Sequence, residues 1–196
     1  MDPIYERRSI RKYLSKPVPK ELITEILDAG RVAPSAKNRQ PWRYIVFAES
    51  QKEEMLDKME SGLDREEHSS ASLPGSASGL ADAGNTLRIM REAPVIILVL
   101  NTNGTSPFVP HDTDERFVEI FDSLSIGASI ENILLKACEK GLGTLWIANT
   151  CFAYKELTGL LDTECQLVGA VALGYPDGQP APRPRKALDE IAEFRY

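Results

Sequence analysis

The chain has 196 residues, 42% of them hydrophobic, and its 29 acidic against 23 basic side chains give a formal net charge of −6. That size suits one globular domain burying roughly 70% of its unfolded surface, while the acidic balance excludes nucleic acid and anionic membrane as bulk electrostatic partners. The longest apolar run, "PVIILVL" at Pro94–Leu100, is far short of the roughly 20 residues that span a bilayer; "MDPIYERRS" lacks the apolar core of a secretory signal, so a cytoplasmic protein is expected.

Taken in chain order, "RRSIRKYLSKPVPK" at residues 7–20 carries six basic side chains and no carboxylate, a local excess that asks for a local anion. "KELITEILDAGRVA" places Leu22, Ile23, Ile26, Leu27, Ala29 and Ala33 at helical spacing and is ended by Pro34. Pro34 and Pro41 then pin a loop in which Ser35, Asn38 and Gln40 offer short polar groups to a heterocycle with its own donors and acceptors. "RYIVFA" reads as a strand, and "QKEEMLDKMES" as a helix with Met55, Leu56 and Met59 on one face. Residues 61–84, rich in Ser, Gly and Ala, read as a mobile surface segment and a possible lid, in which Glu66 and Glu67 are expected to be solvated. "NTLRIMRE" is helical, and "VIILVL" has the composition of a strand buried on both faces. After a second loop, 101–116, comes a helix from Asp114 to Lys140 that is apolar on more than one side and so belongs to the core of a domain or a dimer. "LGTLWIAN", "FAYKELTGLLD" and "QLVGAVALG" follow as strand, helix and strand, and the four prolines of the tail predict an extended arm over 176–196.

Arg7, Arg8 and Arg11 at one end of the chain and Arg183, Arg185 and Lys186 near the other are arginine-dominated clusters whose planar donor forks match phosphate oxygens, with Ser9 as a neutral donor. A small phosphorylated ligand answers the basic excess. Cys138, Cys151 and Cys165 lack metal-site spacing and read as buried free thiols. His68 and His111 fall in loops and read as solvent-exposed. Trp42, Trp146 and Phe117 are read first as core, with Phe108 and Phe117 as alternative roofing groups over a ligand.

The ordered set "RRSIRKY", "PSAKNRQPWRY", "GLGTLWIA", "VALGYPDG" and "PRPRKALDEI" resembles the FMN-dependent nitroreductase family from about Ile4 to Ile191. The resemblance implies an α+β nitroreductase-like fold: one domain over 1–196, with a central, mainly antiparallel sheet flanked by helices. It also implies an intertwined homodimer with FMN at the subunit interface. Arg7, Arg8 and Ser9, with Arg183 and Arg185 from the arm, would hold the ribityl phosphate end. Arg11 would lie at the pyrimidine edge, where its charge favours reduced flavin. Pro34, Ser35, Ala36, Asn38 and Gln40 would line the flavin from the partner chain, Asn85 and Arg88 would face the pyrimidine ring, and the backbone of Trp146, Ile147 and Ala148 would pass its dimethylbenzene and N5 side. Where some members carry glutamate and glycine, this chain has Ala148 and Asn149. No catalytic side chain and no metal ligand is assigned. The implied activity is two-step hydride transfer from NADH or NADPH through FMN to nitroaromatic, quinone or activated-alkene acceptors. A specialised flavin enzyme of the same fold, such as a dehalogenase or heterocycle oxidase, and a non-catalytic binder of a phosphorylated metabolite are the competing readings.

Overall fold

The apolar run after Pro94 becomes strand β2 (Val95–Asn101), and all seven of its residues are buried. In a computed structural model, which describes residues 2–68, 71–73 and 75–196, β2 sits inside a sheet of order β1-β2-β4-β3. The other strands are β1 (Trp42–Ala48), β3 (Gly143–Ile147) and β4 (Gln166–Gly174). All three pairings are antiparallel, with Ile45 opposite Leu98, Ile97 opposite Val171 and Trp146 opposite Val171.

Side chains alternate across β2 and feed two cores, which is why its sequence shows no polar face. Ile96, Leu98 and Leu100 pack with Met55, Leu56, Met59, Met90 and Leu157, from helices α3 (Glu49–His68), α4 (Leu80–Glu92) and α6 (Tyr154–Leu160). Val95, Ile97 and Val99 pack with Ile23, Ile26, Ile126, Ile130 and Ile133, from α2 (Lys20–Arg31) and α5 (Thr113–Glu139). The fold is thus α+β, a small antiparallel sheet between two helical layers, preceded by the short α1 (Pro3–Glu6).

Helix α5 starts where its sequence instructs it to. Asp112 accepts from the N–H of Glu115, whose carboxylate accepts from the Asp112 N–H, a complete capping box. Its inner face buries Ile126, Ile130, Ile133 and Leu134, while Phe117, Val118, Ile120, Phe121 and Leu124 stand exposed. The helix is apolar on two sides, as its pattern predicts, but Phe117 is outside the core and lies against Phe121 at 6.2 Å between ring centroids.

Residues 61–84 differ from expectation. α3 runs through to His68 and α4 begins at Leu80, leaving a short connection with a 3-10 turn at Ser76–Ser78; residues 69, 70 and 74 of the expected lid lie outside the described residues. The buried positions of α3 are Lys52, Met55, Leu56, Met59, Gly62, Leu63 and Glu66, an unbroken helical period. Counting large apolar residues misses it because Gly62 and Glu66 occupy the last turns. Gly62 is where α3 meets the turn after β3: a Cβ there would stand 2.4 Å from the Ala153 Cα.

Glu66 is not solvated. Arg65 donates to Glu66, to Glu156 at 2.6 Å and to the Phe152 carbonyl at 3.0 Å, and the N–H groups of Ser72 and Leu73 donate to the Glu66 carboxylate. Burial pushes the Glu66 carboxyl up, but the Ser72 N–H, the Arg65 guanidinium and the Leu73 N–H outweigh it and hold the group below its ordinary value. Glu67 is exposed as expected.

Candidate cofactor-binding site

The two arginine clusters come together because the ends of the chain are laced to the same sheet edge. Ile10 donates to the Thr144 carbonyl at 2.8 Å, and Ser9 bridges Thr144 in parallel, so residues 9–10 dock beside β3. Ile10 is buried against Gly143, where a Cβ would approach it to 2.6 Å. On the other side, Leu14 donates to Tyr175 and Asp177 to Lys12, an antiparallel contact centred on Tyr13 and Pro176. Leaving β4 along this track, the arm must pass back over the N-terminal segment.

The result is a cleft of about 380 Å³ between Ile4, Tyr5, Arg7, Arg8, Ser9 and Arg11 on one wall and Pro180–Pro182, Arg183 and Arg185 on the other. Among the described residues, only Arg7 of these five arginines has a carboxylate beside it, with Nε 3.3 Å from Glu131. That approach makes no hydrogen bond, and the buried Nε atoms of both Arg7 and Arg8 are without a hydrogen-bond partner. Arg8 otherwise donates to the Tyr5 and Arg7 carbonyls, Arg11 to Ser9 and Arg185 to Arg183 and Pro184. Orphaned buried donors are costly unless something accepts from them. A phosphate supplies the oxygens and charge that this wall lacks, so the residues present fit a phosphorylated cofactor.

The loop between Pro34 and Pro41 does not line that cleft. Its turn carries left-handed backbone at Lys37, Asn38 and Gln40, with φ between 49° and 54°, conformations tolerated best by Asn among these. Ser35 accepts from the Gln40 N–H at 3.0 Å, Gln40 donates to Asn38, and Ala36 donates to Ser125 on α5 at 3.2 Å. Arg39 clamps the loop to Asp122 at 2.7 Å. The loop carrying Pro34, Ser35, Ala36, Asn38 and Gln40 is therefore anchored on α5 through Ser125 and Asp122, and none of the five lines the arginine cleft of the same chain.

Asn85 and Arg88 also stand apart from the cleft. They lie on the exposed side of α4, where Arg88 donates to Asn85 at 3.0 Å and pairs with Glu92. Trp146 is 44% exposed rather than core. It projects from the edge strand toward α5, where Gly127 leaves it room: a Cβ there would meet Cη2 at 3.8 Å. Ile147 is buried, and Ala148 leads into a 3-10 turn, Asn149–Ala153. Trp42 is half-buried and packs on the α2–α5 core.

Several other expectations are corrected. His68 is exposed, but the side chain of His111 retains only 12% exposure, with Nδ1 3.7 Å from Glu115 and a buried, unpartnered Nε2. The cysteines are free, yet Cys151 is exposed and Cys138 and Cys165 are only half-buried. Phe108 packs edge-on against Tyr154 at 5.6 Å. Sequence reasoning missed Asn149 as a contact residue; its side-chain amide donates to Asp82 at 2.9 Å and Thr86 at 2.8 Å, and only its position after the predicted strand hinted at it.

Comparison with known proteins decides the family, since the profile of the nitroreductase family matches residues 4–175. The chain belongs to the nitroreductase family. It is 30% identical to a Bacillus subtilis protein named for NAD(P)H nitroreductase activity, over 98% of this chain and 93% of that one. It is 31% identical to an Archaeoglobus fulgidus protein named NADH dehydrogenase/NAD(P)H nitroreductase, over 88% and 83% respectively. Among solved structures, a Desulfovibrio desulfuricans nitroreductase-type chain in complex with FMN superposes with a TM-score of 0.73 at 26% identity, covering 99% of this chain and 95% of that one.

Proposed function

We propose that the protein is an FMN-dependent oxidoreductase that takes electrons from NADH or NADPH and passes them to nitroaromatic, quinone or activated-alkene acceptors. The observation that carries the reading is the cleft in which five arginines from opposite ends of the chain converge, two of them, Arg7 and Arg8, with buried, unpartnered Nε atoms. Family membership supports the chemistry, as does the FMN held by the Desulfovibrio relative. When bound, FMN supplies two-electron redox chemistry by accepting and returning a hydride.

The residues of this chain bind and orient. Arg7, Arg8, Ser9, Arg183 and Arg185 hold the phosphate end, with the arm residues closing the cleft. Arg11 sets a positive charge near the pyrimidine edge and so favours the more negative, reduced state. The backbone of Trp146, Ile147 and Ala148 presents the turn after β3 to the flavin, and Asn85 and Arg88 approach from α4. Pro34, Ser35, Ala36, Asn38 and Gln40 belong to the site of the partner chain in a homodimer, which accounts for their separation from the arginines within one protomer. The exposed apolar face of α5 and the exposed Leu188, Ile191 and Phe194 of the arm supply surface for that dimer. In this reading residues 1–196 act as one FMN-binding unit with 176–196 as the embracing arm. The three free cysteines suit a reducing cytoplasm, and among the described residues no helix is long and apolar enough to cross a membrane.

The test is the visible spectrum of the purified protein mixed with FMN and desalted, recorded before and after anaerobic NADH and NADPH. Retained flavin that bleaches is the expected result. Retained flavin that neither donor bleaches transfers the protein to a specialised flavin chemistry, and no retained flavin leaves a binder of another phosphorylated metabolite.

A further inference from the structure

We propose that Asn149 is a positioning residue that locks the turn after β3 to α4, so that the two protein edges facing the flavin move as one body. The inference rests on the FMN reading above and concerns a side chain with no role assigned in it.

Strand β3 ends at Ile147, and the chain turns at once into the 3-10 segment Asn149–Ala153. Such a junction needs external support, because a 3-10 turn this short has poor internal hydrogen bonding. The support is asymmetric. At its far end, the Phe152 carbonyl accepts from Arg65 of α3. At its near end, beside Ala148, the Asn149 side-chain amide donates to Asp82 and Thr86, one turn apart on α4. Thr86 is buried and itself donates to the Asp82 carbonyl, so its hydroxyl has a fixed direction and one lone pair aimed at Asn149. Asn85 and Arg88 lie on the same stretch of α4. One carboxamide therefore sets the distance between the helix that approaches the pyrimidine ring and the backbone that passes the N5 side. Few other side chains at position 149 can do this, since both donors are used: aspartate would face Asp82 with like charge, and glycine would offer nothing.

The experiment compares Thr86→Val, which removes the buried acceptor at nearly constant shape, Thr86→Ser, which keeps it, and Asn149→Ala. Two quantities are read: hydrogen exchange of the amides of residues 147–153 in the flavin-free protein, and the midpoint potential of bound FMN. Asn149→Ala and Thr86→Val are expected to exchange about three- to tenfold faster across the turn. They should also change the ratio of affinities for reduced and oxidised FMN at least about threefold, roughly 15 mV for a two-electron couple, whereas Thr86→Ser stays with the wild type. Unchanged exchange and potential in both disruptive variants, with wild-type protein that does bind FMN, overturns the positioning role alone. Faster exchange without a change in potential also overturns it, reducing Asn149 to a fold contact. A wild-type protein that retains no FMN sinks the underlying reading and this inference together.

Discussion

Two regions of this molecule contrast in how their arginine charges are answered. At the end of α3, Arg65 faces Glu66 and Glu156, and the Glu66 carboxylate is further tied to the N–H groups of Ser72 and Leu73. At the sheet edge, Arg7, Arg8, Arg11, Arg183 and Arg185 meet with one carboxylate among them and two Nε atoms unpartnered. The first is a closed network and belongs to the fold. The second is an open one, and an open cationic network that survives near the surface of an acidic protein is built for something that arrives later.

The largest test of this contrast is Arg65→Ala. It leaves the buried Glu66 carboxylate and the half-buried Glu156 carboxylate without their cation and should cost about 3–5 kcal/mol of stability, read as a lowered denaturant midpoint, with FMN affinity of the folded fraction changed less than in the cleft variants. Arg8→Ala and Arg183→Ala should do the reverse. Loss of a charge-assisted phosphate contact of about 1.5–3 kcal/mol weakens FMN binding roughly 10- to 100-fold, while the thermal midpoint of the flavin-free protein holds or rises as like charges separate. Equal stability losses in both sets would erase the distinction. Gly62→Ala sharpens it from the packing side: pressing a methyl onto the Ala153 backbone should cost about 1–3 kcal/mol, measured by chemical denaturation without flavin.

The smallest effect is the pH dependence of the closed network. Burial pushes Glu156 up and its hydrogen bond from Arg65 more than compensates, so Glu66 and Glu156 both titrate below their ordinary values. Groups lowered by folding contribute stability in full above the unfolded value of about 4.3, and that contribution is lost as pH falls through the lowered folded values. Melting temperature followed from pH 7 to pH 3 should therefore fall less steeply for Glu66→Gln than for the wild type.

The sequence made the order of helices and strands legible wherever burial was paid out in large apolar side chains, as along "VIILVL" and "QLVGAVALG". It was opaque where burial fell to other chemistry. The last turns of α3 are held by a glycine and a carboxylate whose partners, Arg65 and the N–H groups of Ser72 and Leu73, are local but follow no period. Trp146 could not be recognised as exposed, because the space beside it depends on a glycine of α5 brought there by the fold. The arginine pairing was legible as chemistry, but its geometry rests on main-chain hydrogen bonds from Ile10, Leu14 and Asp177 that carry no residue signature. Asn149 shows the same limit, since its acceptors lie more than sixty positions earlier in the chain.

The two walls of the arginine cleft are contributed by residues 4–11 and 180–185, nearly the full span of the chain apart. Closing so long a loop gains nothing until β3 and β4 have paired and offered both segments a common edge, which makes the cleft a late event on the folding route. No fragment missing either segment can assemble it. In the proposed function, FMN captured there reports that both segments have docked, and by mass action each bound molecule would withdraw protein from the unfolded pool, making cofactor supply a control on how much of this protein escapes degradation.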